Sequence, residues 1–266
     1  MMSTELYDRP GPIARRRARL WTAAAAVVAL AIAIWAVAKL ASQHVLDGDN
    51  WIVLTQPDVL SALLAGLLAT LKVAGVSVVL SLVLGLFIAL GRMSKRRWLS
   101  VASRVWIEAL RGLPELLLIF FIYLGFPAVT GASISTFWAL VAGLVLYESA
   151  SMAEAFRAGF LALPKGQSEA ATALGVRYVK NLRYILLPQV IRQILPNLVS
   201  EMVRVTKASS LGFVIGYVEL LLTGEQAIEY LGGQYAVPIF AGVAVLYIII
   251  CLILSRVSHI LSKRLS

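Results

Sequence analysis

EAATALGVRYVKNLRYILLPQ, from Glu169 to Gln189, is the stretch whose reading decides the fold. It interrupts a strongly apolar chain with an alanine-rich turn, a glycine and the basic residues Arg177, Lys180 and Arg183. That density of charge argues against a membrane span. Just upstream, Leu163-Pro164-Lys165-Gly166 suits a helix start, because proline is tolerated in the first turn where its missing N–H is not needed. Ser168 to Leu174 is rich in helix formers, and Gly175 fits a left-handed residue that ends the helix. A second helical run is expected from about Arg177 to Leu187, ahead of Pro188. The pattern predicts a short helix, a sharp corner and another helix. Helices this short are marginal alone, so the element must dock on something. Ala170, Ala171 and Ala173 give it a smooth surface for close approach, and Glu169 gives it one fixed negative charge.

The sequence around this stretch is 60% hydrophobic and only 14% charged, with a mean hydropathy of +0.85. Soluble domains run at about 45–50% apolar and about 25% charged, so the composition is that of a membrane protein. The single cysteine, Cys251, lies in an apolar run, which excludes a disulfide framework and a thiolate metal site. His44 and His259 stand far apart and offer little for a metal centre or a catalytic triad. The loop Gln43 to Gln56 holds His44, Asp47 and Asp49, and reads as an acidic solvated loop in preference to an ion site.

About 20 apolar residues are needed to cross the hydrocarbon core. Spans are expected at Trp21–Ala41, Val59–Leu90, Val105–Phe126, Ile134–Ala153, Ile191–Leu222 and Ala236–Val257. The fold class is therefore all-α and polytopic, with about six transmembrane helices. The connections alternate in charge. Arginine and lysine crowd the N-terminus (Arg9, Arg15–Arg19), the second connection (Arg92 to Arg104), the quoted stretch and the C-terminus (Arg256, Lys263, Arg264). The segments Ser42–Asp58, Pro127–Ser133 and Thr223–Tyr235 contain neither residue. By the positive-inside rule both termini are expected in the cytoplasm. The net charge of +10 is thereby explained by topology, and nucleic acid is not an expected partner. Residues 1–20 read as a basic cytoplasmic tail and residues 21–41 as a retained signal anchor. The alternative for that helix is a signal peptide cleaved near Ala36-Val37-Ala38.

The spacing Glu169-Ala170-Ala171, three residues, Gly175, nine residues, Ile185-Leu186-Leu187-Pro188 resembles the EAA loop of ABC-importer permeases, E-A-A-x3-G-x9-I-x-L-P. The resemblance extends over roughly residues 60–259. Gly66-Leu67-Leu68-Ala69-Thr70-Leu71 is similar to the opening G-L-x-x-T-L of that domain, and Arg111-Gly112-Leu113-Pro114 to the R-G-T-P turn of the polar amino acid subfamily. Ala153-Glu154-Ala155-Phe156-Arg157-Ala158-Gly159 looks like its A-E-I-F-R-G-G segment, and Thr206-Lys207-Ala208-Ser209-Ser210-Leu211 like its L-K-D-T-S-L.

This resemblance implies a permease core of five helices preceded by one N-terminal helix, in the bacterial inner membrane. It implies that the loop 164–188 forms a coupling helix seated in a cytoplasmic ATPase dimer, with Pro164, Gly166, Glu169, Ala170, Ala171, Leu174, Gly175, Leu187 and Pro188 as its coupling residues. It also implies a second permease subunit, identical or different, an extracytoplasmic solute-binding protein, and surrounding lipid. ATP and Mg are expected in the partner ATPase. No cofactor is expected in this chain, which has no G-x-x-x-x-G-K-[ST] pattern. No H-E-x-x-H or G-x-S-x-G pattern occurs either, so a membrane enzyme is disfavoured.

Charges within membrane segments are expensive and mark a pathway, a pairing or an interface. Arg111, Glu148, Ser151, Glu154, Glu201 and Lys207 are the candidate substrate-pathway residues; Lys72, Glu108, Glu115, Arg157, Arg204 and Glu219 are further charges of this kind. Arg111 and Glu115 are spaced to pair on one helix face. The chain departs from the subfamily pattern at Ala208, at Ser151 and at Glu148. Glu148 and Ser151, one turn apart, are expected to enlarge and acidify the translocation cavity. The resemblance implies that the solute is a polar amino acid, and these departures admit a derivative such as an opine.

Overall fold

In a computed structural model, residues 11–42 and 45–265 are described, and they contain helices and turns but no strand. Arg9, His44 and the first half of the basic N-terminal tail lie outside the described residues, as does the side chain of His259. The chain divides into two compact units, Met1–Val53 and Leu54–Ser266.

The first unit contains α1 (Pro12–Ser42) and a single turn, α2 (Gly48–Trp51). At 1.5 Å per residue, α1 is about 46 Å long, enough to cross a bilayer with turns to spare. Its Trp21, Val27, Leu30, Ile34 and Trp35 are all exposed, as suits a helix whose solvent is lipid.

The second unit opens with α3 (Pro57–Arg92), which starts on Pro57 as the missing proline N–H allows. One stripe of α3 is small: Gly66, Thr70, Ala74, Ser77, Ser81, Gly85 and Ala89 are buried. Lipid tails are as apolar as leucine, so helices in a membrane gain by close packing, and small residues permit it. A Cβ on Gly85 would stand 2.5 Å from the Cβ of Met152, which shows how tightly α3 meets α6 (Thr136–Ala162). Ser135 caps α6 by accepting from the N–H of Trp138 at 3.4 Å.

Between them lie α4 (Arg97–Gly112) and α5 (Glu115–Thr130), bent by 101° at Leu113-Pro114. The expected continuous span Val105–Phe126 is thus corrected to two helices. Pro114 lacks the N–H to continue the ladder and forces Leu113 into extended backbone (φ −96°, ψ 141°). α4 is amphipathic: Ser103, Ile107 and Leu110 are buried, while Arg97, Arg104, Glu108 and Arg111 are exposed.

After α6 come α7 (Lys165–Ala173), the one-turn α8 (Tyr178–Asn181), a π-helical turn Leu182–Leu186 and α9 (Leu187–Ala208). The helix expected to end before Pro188 instead runs through it. The wide turn makes this possible: Leu187 N–H donates to the carbonyl of Leu182, and Gln189 Nε2 donates to the carbonyl of Ile185 at 2.7 Å. The expected fifth span Ile191–Leu222 is also broken. A 3-10 segment (Ser209–Ile215) and the left-handed Gly216 (φ 77°) separate α9 from α10 (Leu220–Leu231), with a bend of 46°. Residues 223–235, expected as a loop, are thus mostly helical. The chain closes with α11 (Ala236–Leu265).

Four of these helices are long and apolar enough to cross a membrane, and six if each bent pair counts as one span. Two of the apolar clusters in the second unit are the larger ones. One gathers Ile107, Leu118, Met152, Phe156, Val190 and Ile194; the other gathers Val73, Ile119, Leu140, Leu144 and Ile215. Both place α6 at the centre.

Candidate functional site

The short helix α7 follows α6 directly through Leu163-Pro164. Its end is a left-handed corner: Gly175 has φ 73°, its N–H donates to the carbonyl of Thr172, and Val176 N–H donates to the carbonyl of Ala171, both at 3.0 Å. The corner turns the chain into α8, where Asn181 Nδ2 donates to Ser168 Oγ at 3.1 Å. Glu169, Ala170 and Leu174 are exposed, Leu174 at 83%, while Ala171 is buried. Pro164 and Pro188 are exposed at the two entrances, and Leu187 packs against the core cluster of α6 and α9. A Cβ on Gly166 would meet nothing within 4 Å, so this glycine faces open space. The structure therefore presents a short exposed helix, with Glu169, Ala170 and Leu174 accessible, on a pinned corner. Arg177 stands at the N-cap of α8 with no side-chain capping bond. Asn181 escaped the sequence reading: it stands between Lys180 and Arg183, and only the fold shows that it is 2% exposed.

Next to this corner, Phe87, Leu90, Met93, Leu99, Tyr178 and Leu182 help to line a largely apolar cavity of about 630 Å³.

A second assembly lies inside the unit. Arg204 of α9 ion-pairs with Glu148 of α6 and with Glu201 one turn away; its Nε donates to Glu201 Oε2 at 2.7 Å. Its guanidinium stands 5.9 Å from the ring centroid of Tyr147. Glu115, at the first position of α5, is partly buried, and its Oε1 accepts no hydrogen bond. Glu148 and Glu201 are thus brought together, through an arginine that the sequence reading gave no role. Glu148 is fully buried against this partner.

Arg111 and Glu154 meet elsewhere. With Arg92, Arg104, Glu108 and Arg157 they line a polar cavity of about 530 Å³. Glu154 pairs with Arg157 at 2.8 Å and Arg104 with Glu108 at 2.7 Å. The expected pairing of Arg111 with Glu115 on one helix face is overturned, because the break at Leu113-Pro114 puts them on different helices. Ser151 is half-buried on α6, and Lys207 is exposed near the end of α9. Lys72 Nζ stands 5.1 Å from the ring centroid of Phe137.

Glu219 forms a third polar centre. Fully buried, it caps α10 by accepting from the N–H groups of Leu221 and Leu222 at 3.0 Å each. It also accepts from Tyr247 at 2.7 Å and Thr70 at 3.4 Å, which joins α10 to α11 and α3. Among the described residues, no group of three or more His, Cys, Asp or Glu side chains is placed to hold a metal.

The chain is 37% identical over 223 residues to the glutamate transport system permease protein GluD of Corynebacterium glutamicum, covering 83% of this chain and 81% of the relative. It is 35% identical over 203 residues to the arginine transport system permease protein ArtQ of Bacillus subtilis, covering 76% of this chain and 92% of the relative. A solved amino acid ABC transporter with histidines superposes with a TM-score of 0.69 at 32% identity, over 79% of this chain and 97% of that one. Residues 81–266 match the family described as binding-protein-dependent transport system inner membrane component, a span that takes in α5, α6, α7 and the corner at Gly175. With the pinned corner, the central α6 and these likenesses together, the chain belongs to that family of inner-membrane permease subunits of ABC transporters.

Proposed function

We propose that this chain is the membrane subunit of an ATP-driven importer that takes polar amino acids, or derivatives of them, from an extracytoplasmic solute-binding protein. Both termini lie in the cytoplasm, residues 21–41 anchor the chain, and residues 60–259 form the permease domain. Two permease subunits, identical or different, pair around the pathway. Arg111, Glu148, Ser151, Glu154, Glu201 and Lys207 contribute to that pathway.

The observation that carries the proposal is the exposed, pinned α7. Glu169, Ala170, Leu174 and Gly175 present themselves to a groove of the ATPase dimer, with Pro164 and Gly166 at the entry. Ala171, Leu187 and Pro188 complete the coupling segment, with Ala171 buried and Pro188 exposed at its exit. The ATPase binds ATP and Mg, and its closure draws the α7 helices of the two permeases together. The pathway then opens outward to receive the solute, and hydrolysis resets it. This chain supplies no nucleotide chemistry.

Uptake of labelled amino acids tests the reading in cells whose own copy is replaced by Glu169→Lys or Gly175→Val. Both variants are expected to insert into the membrane and to lose uptake. Normal uptake by both would sink the proposal.

A further inference from the structure

We propose that the apolar cavity beside the corner at Gly175 binds an anionic phospholipid of the inner leaflet, with an acyl chain inside and the phosphate at Lys95. This rests on the topology given above, with the basic turns at the inner face of the bilayer, and adds a lipid partner to it. The cavity, of about 630 Å³, lies between the end of α3, the start of α4 and α8. Sites that enclose a single ligand measure about 300–1,000 Å³, so the space suits one occupant. Its walls run from Phe87 and Leu90, in the last two turns of α3, through Leu99 and Leu182 to Ser94 and Lys95. One end is therefore hydrocarbon, and the other carries a cation. The turn at the charged end is built in advance. Ser100 Oγ donates to the carbonyl of Arg92 at 2.9 Å, and the N–H of Arg96 donates to Ser94 Oγ at 3.2 Å.

Charge selects the headgroup. Lys95, Arg96 and Arg97 follow α3, while Arg177 and Lys180 stand at α8; all are exposed, and none is ion-paired among the described residues. No aspartate or glutamate occurs between Asp58 and Glu108, or between Glu169 and Glu201, so the segments that build the cavity carry no compensating charge. The polar cavity around Arg104 and Arg157 differs, because Glu108 and Glu154 pair with those arginines. The positive-inside rule accounts for basic turns but not for an apolar cavity between two of them. Basic pockets on the cytoplasmic side of membrane helices attract anionic headgroups. Water would find few polar partners against the apolar lining, whereas an acyl chain supplies the dispersion contacts that an empty void lacks. Phe87 and Tyr178 are exposed, which leaves the cavity open at its rim. An acidic loop of the ATPase would meet the charges and leave the hydrocarbon end unfilled. An anionic amphiphile satisfies both ends.

The test uses the full-length chain in complex with its ATPase, in phosphatidylcholine nanodiscs that contain phosphatidylglycerol with a diazirine on one acyl chain. Crosslinks located by mass spectrometry are expected on residues 87–99 and 178–182. Unlabelled phosphatidylglycerol should displace them, and added phosphatidylcholine should not. Lys95→Gln is expected to weaken that preference about fivefold, the worth of one basic residue near an anionic surface. Met93→Trp, at an exposed position that lines the cavity, keeps every charge and is expected to cut the crosslinks severalfold by filling the space. A site made only of surface charge would not respond to it. Crosslinks unchanged in both variants would overturn the proposal, as would phosphatidylcholine displacing as well as phosphatidylglycerol. Crosslinks that form only once the ATPase is removed would assign the cavity to the ATPase and overturn it too. Absence of these crosslinks from a complex that still drives amino-acid uptake in cells would overturn this inference alone. Loss of all amino-acid uptake with the crosslinks intact would remove the importer reading and leave the lipid site standing.

Discussion

Asn181 donates from Nδ2 to the hydroxyl oxygen of Ser168 at 3.1 Å, across the corner that reverses the chain between α7 and α8. The bond joins residues thirteen apart in sequence and is the side-chain clasp of an otherwise backbone-built turn. Small surface helices hold little stability of their own, so a clasp of this kind sets how stiffly α7 is presented.

Asn181→Ala is expected to cost about 1–3 kcal/mol locally, since it removes a buried hydrogen bond. Amide hydrogen exchange over residues 168–181 should speed up while the membrane helices stay protected. The ratio of solute transported to ATP hydrolysed should fall. Unchanged exchange in that segment would show that the clasp is dispensable.

Gly175 provides a second test of the same corner. Its φ of 73° costs an ordinary side chain roughly 1–2 kcal/mol, and more for a β-branched one. Gly175→Ala should therefore be milder than Gly175→Val, and the order should appear in uptake rate. A Cβ there meets no neighbour within 4 Å, so crowding cannot supply the effect. Equal loss in both variants would count against strain as the cause.

Gly85 tests packing instead. An added methyl would lie 2.5 Å from Met152 Cβ and 3.1 Å from the backbone of residues 149 and 153. Gly85→Ala is expected to lose about 1–3 kcal/mol through overpacking, read as a lower Tm in detergent. Gly75→Ala, on the same helix with nothing within 4 Å, serves as the control and should leave Tm within a degree or two.

Glu219 holds four donors at the start of α10. Glu219→Ala should destabilise by about 2 kcal/mol or more, since it strands two helix N–H groups and a tyrosine hydroxyl. Tyr247→Phe removes only one of those donors and should cost less. Thermal unfolding of the two variants checks the order, and a larger loss for Tyr247→Phe would contradict the assigned network.

How much of this was legible in the sequence depends on the range of the physics involved. The helical class, the short helix at Lys165–Ala173 and the corner at Gly175 rest on local chemistry, and each emerged where the residues suggested. Hydropathy smoothed over the breaks at Leu113-Pro114 and at Ser209–Ile215, because apolarity persists through a turn that the backbone does not. Pro188 misled in the other direction: a proline usually ends a helix, yet the π-helical turn before it accommodated the missing N–H. The partners of Glu148 and Glu219 could not be read at all. Arg204 lies 56 residues beyond Glu148, and Thr70 lies 149 before Glu219, distances that only the folded packing closes.

The close contact between α3 and α6 at Gly85 has a mechanical meaning. Where two helices touch backbone to side-chain stem, no flexible side chain remains between them to absorb a displacement, and packed interiors compress very little. α6 is 27 residues, or about 40 Å, from Thr136 to the residue before the linker into α7. The crowded seam at Gly85 meets α6 at Ser149, Met152 and Ala153, one residue from Glu148, so α3 and that turn of α6 are held as one stiff piece.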